Sequence, residues 1–214
     1  MKKLLMIATA AAVLSSTTAF ADAENMFYIK ANVGTGKLNK ITDKTISAKA
    51  KSKFVPFLGL AVGYYVMDNV RADLGLEHHF NPTLKASTTG QSARHKANIT
   101  ALMVNGYVDL FDVSVAKVFA GAGVGLAQLK EKITWTDATG SASVSAKKKN
   151  NLAYALTLGV TGELSQGIHG EFSYAWKDFG KTKSAVWPAA IGGGEASKTP
   201  YKGHHLAVGV RFDM

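Results

Sequence analysis

Six histidines, a surplus of lysines and no cysteine define the chemistry open to this chain. His78-His79 and His204-His205 are adjacent pairs, while His95 and His169 stand alone. In an extended chain, neighbouring side chains point to opposite faces, so only one histidine of each pair can reach a common centre. A zinc site would ask for a nearby carboxylate cluster or cysteines, and neither stands beside the pairs. No nucleophile is spaced with a base and an orienting acid. The residues therefore predict no catalytic group, no metal site and no cofactor. Gly121-x-Gly123-x-Gly125 lacks the helix and the third spacing of a nucleotide loop. Its period of two suits a strand facing a crowded interior.

The lysines are grouped. Lys37, Lys40, Lys44, Lys49, Lys51 and Lys53 fall in one polar stretch with only Asp43 opposing them. Lys130, Lys132, Lys147, Lys148 and Lys149 share another with Glu131 and Asp137, and Lys181, Lys183, Lys198 and Lys202 a third with Glu195. Such cationic rims draw in anionic partners and speed their encounter. Trp135, Trp187 and Ile191 are apolar residues set among these polar stretches. Buried or contacting aromatics often anchor protein interfaces. The expected partner-binding set is thus Lys44, Lys49, Lys51, Trp135, Lys147, Lys148, Lys149, Trp187 and Lys198. The same lysines could instead anchor the molecule beside lipopolysaccharide phosphates, and the same aromatics could pin loops to a rim.

These groups need elements to hold them. Lys2 and Lys3, the apolar run Leu4–Leu14 and the small-x-small site Ala19-Phe20-Ala21 read as a secretory leader covering residues 1–21. The expected mature domain is 22–214. The formal charge of +10 becomes +8 once Lys2 and Lys3 leave with the leader. Export makes nucleic acid an unsuitable partner. Lipopolysaccharide phosphates, sulfated host glycans and acidic patches on host proteins remain.

The mature chain alternates with period two, a strand pattern. Eight segments carry it: about 26–36, 54–66, 70–80, a stretch ending near Leu110, 115–130, and stretches around Leu152–Thr161, Ile168–Lys177 and His205–Met214. Each is near the ten residues a tilted strand needs to cross a bilayer. The links at Met67–Asn69, Phe111–Ser114 and Ser165–Gly167 are short and carry turn residues. Those at about Lys37–Lys53, Asn81–His95, Glu131–Lys149 and Asp178–Lys202 are long. Long and short alternate, as in membrane barrels with short periplasmic turns and longer outside loops. The fold class predicted is all-β: an eight-stranded antiparallel transmembrane barrel in the bacterial outer membrane, both termini periplasmic.

One face of each segment is Leu, Val, Phe and Tyr. The other mixes small residues with Lys30, Arg71, Asp73, Glu77, Asp109, Lys117, Glu171, Lys177 and Arg211. A barrel of this size has room inside only for side chains, so the apolar face is assigned to lipid and the charged face to a packed ionic core. Its expected members are Arg71, Asp73, Glu77, Lys117, Glu171 and Arg211. Their role is structural, with ion or proton transfer as the alternative.

The closing Gly209-Val210-Arg211-Phe212-Asp213-Met214 resembles the assembly signal of outer-membrane barrels, with Met214 where Phe is usual. The mature chain as a whole resembles small barrels of the OmpX/Ail type, and most of all the candidate rickettsial surface adhesins of the Adr group. Met26–Asn32, the Tyr64–Leu76 hairpin, the Phe119–Leu126 glycine strand and the closing segment carry the likeness. What the resemblance implies is adhesion to host cell-surface or serum proteins, with no binding residue transferable; separately, a monomer is expected. Other readings are a purely structural barrel, a lipid-modifying rim enzyme using His79 or His205, and a conducting pore.

Overall fold

The computed structural model describes residues 27–39, 41–43, 48–52, 54–138, 140–183 and 198–214, and its regular elements there are all β-strands. The expected leader, Lys44, Trp187 and Ile191 lie outside these residues. In chain order the strands are β1 (Phe27–Leu38), β2 (Ile41–Asp43), β3 (Ala48–Ser52), β4 (Phe54–Met67), β5 (Val70–His79) and β6 (Thr83–Thr88). They continue with β7 (Gln91–Val113), β8 (Ala116–Asp137), β9 (Gly140–Ser145), β10 (Lys149–Ser165), β11 (Ile168–Lys181) and β12 (Pro200–Asp213).

Eight of them close a ring. β1 pairs with β4 and β12, β4 with β5, β5 with β7, β7 with β8, β8 with β10, β10 with β11, and β11 with β12, all antiparallel. Closure leaves no edge within the ring, which is what a sheet needs in a medium without water. The links β4–β5, β7–β8 and β10–β11 are two residues each and lie at the end of the ring that carries Phe27 and Met214. Ser114 (φ 54°) and Gly167 (φ 72°) make two of these turns in left-handed backbone. Beside each turn the register slips, at Tyr65/Met67, Asp109/Phe111 and Glu163/Ser165. Such bulges increase local twist at barrel rims.

Large apolar side chains stand on the outside. Leu60, Leu126 and Leu156 are 56%, 60% and 60% exposed, and Val104, Leu102, Leu158 and Val208 are exposed with them. A belt of this extent is far beyond the apolar patches of water-soluble proteins. The alternate residues face inward and are buried.

Two expectations need correction. The stretches read as loops at 81–95 and 131–149 are largely sheet: β7 and β8 run 23 and 22 residues, well past the bilayer-spanning length, with β6 and β9 paired to their far ends. Short β2 and β3 likewise lie within the first long link, and β3 pairs with β6. The physical reason is that only the outward face changes there. Arg94, Lys96 and Asn98 replace outward apolar residues, while Ala93, His95, Ala97 and Ile99 keep the inward face buried and the alternation intact. The interior is also layered rather than ionic throughout. Its outer part is apolar, with Leu38, Leu84, Ile99, Leu129, Phe179 and Tyr201 all buried together.

Candidate functional site

The ionic layer fills the turn-side half of the barrel. Lys30 of β1 reaches Asp73 of β5 at 2.7 Å, and Asn105 of β7 donates to the other Asp73 oxygen at 2.7 Å. Arg71 is 1% exposed and pairs with Asp109 and, at 3.5 Å, with Glu171. Glu171 also takes Arg211 at 2.6 Å and lies 3.9 Å from Lys30. Arg211 Nε reaches Asp213 at 3.1 Å, and His169 Nε2 lies 2.9 Å from the same carboxylate. Acids and bases from five strands thus neutralise one another where either alone would be costly. The Arg71 guanidinium is 4.7 Å from the Phe119 ring and 5.1 Å from Tyr107, close enough for cation–π attraction.

Glycines make the room for this layer. Tyr107 lies over Gly121, Asn105 over Gly123 and Tyr28 over Gly63, each across a strand pair, and any Cβ at these glycines would strike the neighbouring side chain. At Gly159 a Cβ would come within 2.5 Å of Phe119 Cζ. The glycine run at 121–125 is therefore the relief into which β7 side chains pack.

Of the expected ionic set, Arg71 and Asp73 are buried, and Glu77, Glu171 and Arg211 join ion pairs inside the barrel. Lys117 does not join them. It shares the inward parity of β8 but stands exposed beside the β7–β8 turn, opposite Asp112, because water reaches the mouth there. A 470 Å³ vestibule opens at that mouth, lined by Asp68, Asp112, Lys117, Glu163, His169 and Asp213 among others. Lys30 and Lys177 hold central places in the network that spacing alone did not rank above Lys117.

Above the ionic layer lies an aromatic one. Glu77 pairs with Lys177 and, at 3.3 Å, with His79. His79 and His205, from strands that are not neighbours, meet with ring centroids 5.2 Å apart, and Phe57 and Phe179 pack against both. Their partners in the pairs, His78 and His204, turn outward, and Tyr174 and His204 stack there. His79 and His205 are 1% and 2% exposed, so neither faces the lipid rim where a lipid substrate would lie. The space between this layer and the ionic one holds about 40 Å³, enough for a water molecule or so.

A third cluster lies toward the far end. Glu131, expected among exposed loop acids, is 1% exposed and points inward from β8. Its Oε1 accepts from Tyr201 at 3.1 Å and lies 2.9 Å from His95 Nδ1. Thr199 Oγ1 is 3.2 Å from the same histidine nitrogen. His95, read as a loop residue, is thus part of buried β7. Both hydroxyl and carboxylate meet one ring nitrogen, which ties β7, β8 and the segment leading into β12 together at this level. The signal that could have found it was the unbroken inward alternation His95, Ala97, Ile99 against Leu129, Glu131, Ile133.

The expected partner-binding residues fall above this cluster or outside the described residues. Lys147 and Lys148 are exposed in the β9–β10 link, Lys149 is half-buried at the start of β10, and Lys198 is exposed before β12. Lys49 and Lys51 sit on β3, opposite Thr42 and Lys85 in register. Trp135 is half-buried on β8, between Ala93 of β7 and Ala142 of β9. The described members of the set are spread around the far mouth rather than gathered into one site.

The family whose description reads outer membrane protein beta-barrel domain matches residues 6–213. A Rickettsia bellii protein named as a candidate adhesin is 42% identical over 228 aligned positions that cover all of both chains. Among solved structures, the outer-membrane protein OprG of Pseudomonas aeruginosa matches with a TM-score of 0.58 and 20% identity, over 89% of this chain and 96% of its own. Neisserial surface protein A matches with a TM-score of 0.53 and 15% identity, over 88% of this chain and 97% of its own. At those identities the likeness to the two structures concerns the fold.

Proposed function

The chain belongs to the outer-membrane protein β-barrel family, and from that premise we propose that it is a non-enzymatic adhesin that binds host cell-surface or serum proteins through its basic outer loops. It is an outer-membrane surface protein, with its apolar belt in the bilayer. The observation that carries the binding role is a contrast between inside and outside. Among the described residues, paired charges, packed rings and the His95–Glu131–Tyr201 cluster fill the interior between the turn-side vestibule and the far mouth. The far mouth offers exposed Lys147, Lys148, Lys181, Lys183, Lys198 and Lys202. The rickettsial relative named as a candidate adhesin supports the same role. In this reading residues 1–21 leave as a leader, the long links face the exterior, both termini are periplasmic and the barrel works as a monomer.

The test is binding of the refolded mature chain to immobilised serum and host-surface proteins at rising ionic strength. Cation-driven capture weakens with salt, and K147Q/K148Q/K198Q weakens it further at low salt. Capture indifferent to both salt and these substitutions would remove the basic loops from the account. Capture lost on loop trimming but not on lysine replacement would leave an adhesin that works by other contacts.

A further inference from the structure

Neither the ionic layer nor the basic loops use the 470 Å³ vestibule at the turn-side mouth. Its size lies in the range of about 300–1,000 Å³ in which proteins hold small ligands. Asp68 enters it from the β4–β5 turn, Asp112 from the end of β7, Lys117 from the start of β8 and Glu163 from the end of β10, and all four are exposed. Two further carboxylates in the lining are already satisfied. Asp109 pairs with Arg71, and Asp213 takes Arg211, His169 and the Tyr65 hydroxyl. Asp68, Asp112 and Glu163 form no ion pair among the described residues, and Lys117, opposite Asp112 in register, sets one charge against their three. In a chain of formal charge +10, this mouth gathers unbalanced negative charge.

A second, independent feature stands on the vestibule wall. Thr161 of β10 lies in register between Lys117 of β8 and Glu171 of β11 and is 4% exposed. It lines the vestibule, and its Oγ1 has no hydrogen-bond partner among the described residues. A buried hydroxyl left unpaired is costly, and a ligand that donates to it recovers that cost. The groups present select the ligand. Among the described residues, no three histidines or carboxylates stand close enough to hold a metal ion. An ammonium group carries three donors and no acceptor, which suits a hydroxyl oxygen and carboxylates together. Carboxylates from separate strands and turns call for more than one ammonium. Val115, Ala116 and Gly162 add apolar wall that suits methylenes joining them.

We propose that the vestibule binds a linear polyamine, with one ammonium donating to Thr161 Oγ1, others meeting Asp68, Asp112 and Glu163, and the methylenes lying on Val115 and Ala116. The site is at the opposite end of the barrel from the adhesive loops, the periplasmic end in the reading above, and does not depend on what those loops capture. The test is methyl NMR of the mature chain in phosphatidylcholine nanodiscs, which leave both mouths open, with threonine, valine and alanine methyls labelled and spermidine as the probe. Spermidine shifts the Thr161, Val115 and Ala116 methyls saturably and leaves Ala146, beside Lys147 at the far mouth, in place. D112N/E163Q weakens binding roughly tenfold. T161V weakens it roughly threefold. K117Q removes the competing cation and tightens it roughly threefold. Folding is checked by the shift in gel mobility on heating, and the exposed-site variants D112N/E163Q and K117Q carry the test if T161V fails to fold. Equal affinity in wild type and D112N/E163Q overturns the proposal. So do the same shifts with magnesium chloride at equal charge concentration, which reduce the site to a cloud of counterions. Saturable binding of trilysine without binding of spermidine also overturns it, and assigns the vestibule to a peptide-borne amine.

Discussion

Replacing Arg71 by methionine tests the ionic core most sharply. Arg71 is 1% exposed, pairs with Asp109 and Glu171, and lies against Phe119 and Tyr107. Removing one partner of a buried ion pair costs about 3–5 kcal/mol, because the other charge stays buried without compensation. Two features pull toward the lower end. Glu171 keeps Arg211 at 2.6 Å, and the Asp109 side chain is 12% exposed toward the vestibule, where water can reach it. Lost cation–π attraction adds about 1–2 kcal/mol, partly recovered by methionine packing on the same rings. R71M should therefore destabilise the barrel by about 3–4 kcal/mol. The assay is equilibrium urea unfolding in lipid vesicles, followed by tryptophan fluorescence. R71M/D109N should recover about 1 kcal/mol or more, since asparagine no longer strands a charge. A loss below about 1 kcal/mol for R71M, or no coupling between the two substitutions, would refute the reasoning that paired charges hold the interior.

Other expectations follow from the same layers. G159A places a Cβ 2.5 Å from Phe119 Cζ and should cost about 1–3 kcal/mol in the same unfolding assay, with F119L relieving part of it. V104R puts a cation on the lipid face and should cost about 2 kcal/mol or more in vesicles. H205F exchanges a ring packed among Phe57, His79 and Phe179 for another ring of similar size, so stability should hold within about 1 kcal/mol and host-protein capture should be unchanged. Planar-bilayer recordings should show no steady conductance, given the packed interior, and R71M should be the variant that first admits ions.

Much of the fold was legible because lipid contact and inward packing impose opposite chemistry on alternate residues. Leu58, Leu60 and Tyr64 against Gly59, Ala61 and Gly63 announce both strand and orientation. Arg71, Asp73, Glu171 and Arg211 could be placed inside by the same parity. What the pattern hid was the length of β7 and β8. Past Leu102 the outward residues turn polar, so the contrast between faces reverses at the membrane surface. Inward His95 and Glu131 then look like loop residues although strand pairing continues. Lys117 misled for the complementary reason: parity says which face a residue takes, not how far from the mouth it lies. The meeting of His79 and His205 was foreseeable only as a proximity across a narrow barrel. The choice of Lys30 and Lys177 as central cations depends on strand stagger, which a single sequence does not state.

The most direct test of the whole account uses the absence of cysteine in the chain. Single cysteines at Val104, Leu156, Val208 and Lys132 carry spin labels in the reconstituted barrel, and collision rates with oxygen and with a water-soluble nickel chelate report each label's surroundings. Labels at Val104, Leu156 and Val208 should collide with oxygen and be shielded from nickel, and the label at Lys132 should meet nickel. Nickel access at Val104, Leu156 and Val208 equal to that at Lys132 would mean that water, not hydrocarbon, covers those side chains.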